Sequence, residues 1–101
     1  MKLMILTSVS SYENEILKLL KAAHIEAFSS SEIDGYKTNN QLIATQSWFP
    51  MTAGGSESLL FFSFTKTEQL NKVIDLVKDF NSHQAENNPI RLAVLPVETY
   101  V

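Results

Sequence analysis

The order of patterns along this chain constrains its fold more than any single motif. A strand-length apolar run, a helix-period stripe and a second strand occur in the first third, and the same succession returns in the second half. "KLMILTSV" (Lys2–Val9) has the length and apolar content of a strand. Ser10 and Glu13 then stand at capping-box spacing, in which each side chain satisfies a free amide of the other. They predict a helix over Ser11–Ala23 with Ile16, Leu17, Leu20 and Ala23 on its apolar face. "IEAFSSSEIDGY" (Ile25–Tyr36) reads as a second strand through Ile25, Ala27 and Ile33. In the second half "SLLFFSF" (Ser58–Phe64) is a strand, and Thr65 and Glu68 repeat the capping-box spacing. Leu70, Val73, Ile74, Val77 and Phe80 form a helical stripe over Thr67–Asn81. A polar turn (Asn81–Pro89) leads to a last strand at Arg91–Val97.

The resulting order, βαββαβ, predicts an α+β, ferredoxin-like domain spanning residues 1–101: a four-stranded antiparallel sheet with two helices on one face. Pro96 in the last strand cannot donate a ladder hydrogen bond, which suits a sheet edge. The strands are apolar on both sides. Leu3 and Ile5 alternate with Met4 and Leu6, and Phe61 alternates with Leu60 and Phe62. Helices cover only one face, and an antiparallel sheet with a wet second face alternates apolar with polar. Other copies of the chain are the economical cover, so self-association is expected.

Composition removes several classes. The 101 residues include no cysteine, so disulfides and thiolate chemistry are excluded. A net charge of -3 argues against nucleic acid, which needs a basic face. No apolar run approaches the ~20 residues of a spanning helix. "MKLMILTSV" lacks the long apolar region of a signal peptide, so a cytoplasmic protein is expected.

No catalytic constellation stands out, and an enzyme is not expected. The serines of "SVSSY" and "FSSSE" lie outside any nucleophile-elbow context. Glu13, Glu15, Glu68 and Asp75 fall at helix starts or on exposed faces. His24 and His83 sit at helix C-termini, where the dipole favours a protonated imidazole. They have no partner at ligand spacing, and Met1 and Met4 are expected to fill core space, so no metal is assigned. "SWFPM" (Ser47–Met51) is the most unusual stretch outside the strands. Trp48, Phe49 and Met51 would form either a binding tip or a hairpin tucked against the body. Gly54 and Gly55 lack the strand-to-helix context of a phosphate loop and read as a hinge or turn.

"MKLMILTSV", "EIDGYK" and "RLAVLPVE" resemble, in order and spacing, the PII signal-transduction proteins and their PII-like relatives. The resemblance covers nearly the whole chain, and its most specific pieces are "EIDGY" (Glu32–Tyr36) and "VLPVE" (Val94–Glu98). It implies a homotrimer with the sheets facing the threefold axis, and ligand clefts between subunits. It also implies a long T-loop, here about residues 37–57, that docks onto a partner, often a membrane transporter. By the same resemblance Gly35, Tyr36, Lys37 and Asn39 at the loop base, with Arg91 across the cleft, become ligand-binding candidates. Trp48, Phe49 and Met51 become the partner-binding loop.

The departures bear on the ligand. Nucleotide-binding members carry a glycine-rich, lysine-bearing turn before the last strand, where this chain has "ENNPIR" (Glu86–Arg91). Asn39 stands where a glutamine is expected, and "ETYV" follows the last strand where such members have arginines. An ordinary ATP and 2-oxoglutarate sensor is not expected, since a triphosphate's charge would lack amides and cations to meet it. The expected function is a non-enzymatic, PII-like sensor of a small ligand without a bound cofactor. The alternatives are a metal-handling, CutA-like protein of the same fold and a structural oligomer without ligand.

Overall fold

The computed structural model describes residues 1–36, 56–84 and 87–101. It contains β1 (Lys2–Val9), one 3-10 turn (Ser10–Tyr12), α1 (Glu13–Ala22), β2 (Ser29–Gly35), β3 (Ser56–Thr65), α2 (Thr67–His83) and β4 (Arg91–Pro96). The strands form one antiparallel sheet in the order β2-β3-β1-β4. This is the ferredoxin-like α+β arrangement that the sequence predicts. β4 lies on an edge, and Pro96 is its last residue, opposite Lys2.

Paired residues share a face, so the register sorts the side chains. Met4 and Leu6 of β1 lie opposite Ser63 and Phe61 of β3, and opposite Val94 and Leu92 of β4. They face the helices with Leu59, and all of Met4, Leu6, Leu59 and Phe61 are buried. α2 adds Leu70, Val73 and Val77, three positions of the expected stripe, while Phe80 packs at the margin against Tyr12 with ring centroids 5.1 Å apart. α1 buries Ile16, Leu19, Leu20 and Ala23, and Leu17 is exposed. The inward stripe is thus i, i+3, i+4, i+7; Leu17, one step of about 100° beyond Ile16, turns out of it.

Neither capping box forms. Ser10–Tyr12 makes a separate 3-10 turn before α1, with no side-chain cap at either start. Thr65 stays in β3, buried, with its hydroxyl 2.8 Å from that of Ser63, and Lys66 is the residue before α2. Spacing alone does not show that the Thr65 hydroxyl already has another partner.

α1 ends in a Schellman turn. The His24 N–H donates to the Lys21 carbonyl and the Ile25 N–H to the Leu20 carbonyl, each at 3.0 Å. His24 takes the left-handed conformation this requires, at φ 60°. Ile25 is consequently buried in the core as part of the helix end, so β2 begins at Ser29 and not at Ile25. Met1 is exposed and contributes no core, unlike Met4.

The face away from the helices carries Leu3 and Ile5 of β1, Leu60, Phe62 and Phe64 of β3, and Ala93 and Leu95 of β4. Phe62, Phe64 and Leu95 are 39%, 44% and 41% exposed, enough to make this an apolar surface left open by the single chain. Tyr100 beyond β4 reaches only the rim, its ring edge-on to Phe64 at 5.1 Å.

Candidate functional site

The end of the sheet where β2 stops and β4 starts gathers the site candidates. Gly35 is the last residue of β2, buried and opposite Ser56, and Tyr36 beyond it is exposed. Arg91 opens β4 opposite Thr7, half-buried. Both lie at the same end of the sheet but on opposite edges, with β3 and β1 between them. Three strand spacings, with a register offset of about four residues along the strands, place them roughly 20 Å apart. One chain therefore does not bring Gly35 and Tyr36 together with Arg91. Lys37, Asn39, Trp48, Phe49 and Met51 lie outside the described residues.

A cleft of about 450 Å³ opens on the helix side of this end. Glu13, Glu32, Asp34 and Glu57 line it with Ser10 and Ser58, and no basic residue is among its described lining. Asp34 and Glu57 face each other across β2 and β3. Like charges directly opposite cost a few tenths of a kcal/mol or more. The sequence contains each carboxylate but not their convergence, which depends on the register of a hairpin closed by a long connection.

Side chains brace the turn before β4. The Asn81 Nδ2 donates to the Ile90 carbonyl at 2.9 Å, and its Oδ1 accepts the Ile90 N–H at 2.8 Å. The Gln84 Oε1 accepts the Asn88 N–H at 3.2 Å and the Tyr12 hydroxyl at 3.4 Å. Pro89 between them has no N–H. The polar turn expected at Asn81–Pro89 thus begins as helix, since α2 continues to His83.

His83 is exposed at the last position of α2, with Nδ1 2.8 Å from the Asp79 carbonyl and 3.5 Å from the Asp79 carboxylate. Among the described residues no three His, Cys, Asp or Glu side chains are placed to hold a metal ion. No described helix is long and apolar enough to cross a membrane.

No family model and no curated protein matches the sequence. Solved structures do. CPII, a nitrogen regulatory PII-like protein from Thiomonas intermedia K12 bound to ADP, AMP and bicarbonate, superposes with a TM-score of 0.64 at 10% identity. That match covers 99% of this chain and 94% of CPII. A DUF3240 family protein from Shewanella baltica OS155 gives a TM-score of 0.68 at 16% identity, covering 99% and 92%. CPII bound to ADP and bicarbonate gives 0.62 at 9% identity, covering 97% and 88%. At such identities the likeness speaks for architecture alone, and the architecture of this chain is that of the PII-like proteins.

Proposed function

We propose that this chain is a non-enzymatic PII-like regulator that works as a homotrimer, most simply in the cytoplasm. A small ligand binds in the clefts between subunits and alters the segment 37–55, short of β3, which engages a partner protein through Trp48, Phe49 and Met51. A membrane transporter is a fitting partner class. The observation that carries this reading is the placement of Gly35 and Tyr36 at one sheet edge and Arg91 at the other, at the same end. A head-to-tail ring of subunits sets the β2 edge of one chain beside the β4 edge of the next, and a cleft there receives both sets. The open apolar face supports the same assembly, because the ring buries it.

A thermal-shift panel tests the ligand claim, using bicarbonate, 2-oxoglutarate, adenine nucleotides, and zinc, copper and nickel ions. A ligand specific to the folded assembly at about 100 times its Kd adds ~2.7 kcal/mol and raises the melting temperature by several degrees. Stabilisation by a small organic or inorganic anion with no response to metals supports the sensor. A response to metal ions alone replaces it with metal handling, and a flat panel leaves a structural oligomer.

A further inference from the structure

We propose that the turn before β4 is a self-liganded latch. The side-chain oxygens of Asn81 and Gln84 occupy the Ile90 and Asn88 amides, so the stretch Asn88–Ile90 is closed to a phosphate-bearing ligand. Its consequence for ligand choice rests on the sensor reading above; the latch itself does not.

A turn binds phosphate by converging free N–H groups, usually with a cation beside them. Across Asn88, Pro89 and Ile90 no amide is left for that task. The Asn88 N–H is held by Gln84, Pro89 has none, and the Ile90 N–H is held by Asn81. The Asn81 amide group also takes the Ile90 carbonyl, so its two bonds to Ile90 mimic one rung of a strand ladder. Ile90 is buried and Asn81 half-buried. A phosphate that took these amides would strand the Asn81 oxygen without a partner in a partly dry site. Gln84 extends the latch to Tyr12, whose ring lies edge-on to Phe80 of α2, so the 3-10 turn before α1 and α2 itself both touch it.

Amide exchange and titration by nuclear magnetic resonance test the latch in the full chain. In the wild type the Asn88 and Ile90 amides should exchange slowly, and neither resonance should move with millimolar ADP or inorganic phosphate. Asn81→Ala should speed Ile90 exchange about tenfold and leave Asn88 slow. Gln84→Ala should do the reverse, and it serves alone if the Asn81 variant does not fold. Fast exchange of either amide in the wild type overturns the proposal. So does a shift of either resonance with ADP or phosphate. If the thermal-shift panel is flat for every compound, the sensor reading falls while slow exchange at both amides still upholds the latch.

Discussion

Phe62→Lys is the substitution that separates assembly from folding most sharply. Phe62 lies mid-strand on β3, opposite Ile5, at the centre of the apolar face that the helices leave open. In the lone chain its side chain is 39% exposed. Taking a phenylalanine surface of ~200 Å², about 80 Å² remains for a neighbouring subunit to cover. At ~25 cal/mol per Å² that burial contributes about 2 kcal/mol per subunit, which lysine forfeits. The ammonium group would also enter the interface unpaired, at several kcal/mol. Together these weaken association by roughly 5 kcal/mol per subunit, a factor of roughly 1,000 to 10,000. The single chain suffers little, because the lysine stem can lie along the sheet with its charge in water. Its unfolding free energy should fall by about 1 kcal/mol. Sedimentation velocity with circular dichroism reads both quantities. The variant should be a folded monomer at micromolar concentration, and Phe62→Leu should keep the assembly. A Phe62→Lys protein that sediments like an oligomeric wild type would refute the assignment of this face to the interface.

Leu20→Ala empties a fully buried position between α1 and the sheet and should cost about 2–5 kcal/mol in urea unfolding. His24→Gly should stabilise by about 1 kcal/mol, because glycine adopts the left-handed conformation without the Cβ penalty and the carbonyl that accepts from Gln69 remains. Trp48 is the only tryptophan, so its fluorescence reports on the segment 37–55 alone. It should emit as a solvated indole in the free protein and shift blue when a ligand or partner engages. Trp48→Ala should abolish partner binding with little loss of stability; a loss of ~3–5 kcal/mol would instead make this side chain part of a packed core.

The element order and the helix expected over Thr67–Asn81, which runs on to His83, were legible because they rest on local periodicity. Leu70, Val73 and Val77 announce their face without knowledge of any partner. The two-sided strands were equally plain, and the register now gives their parity: Leu3, Ile5, Leu60, Phe62 and Phe64 face away from the helices. Where local signals compete, the sequence misled. Ser10 and Thr65 have capping spacing, yet one enters a 3-10 turn and the other bonds Ser63. Ile25 alternates like a strand residue, but the Schellman turn at His24 carries it into the core. The site was legible only as single residues. That Gly35 and Arg91 share an end of the sheet, and that Glu32, Asp34 and Glu57 converge there, follows from strand order and register. Those are set by contacts across long connections. The pairing of Asn81 with Ile90 spans nine residues across a turn that no propensity specifies.

The mass of the native particle, measured by sedimentation equilibrium across the micromolar range, tests the central claim most directly. A ligand cleft that needs Gly35 and Tyr36 from one chain and Arg91 from the next exists only in an assembly. The account predicts a particle of about three times the 11.4 kDa chain mass, unchanged on dilution. A particle of one chain mass at every concentration would contradict it, since the cleft would then have only one of its two sides.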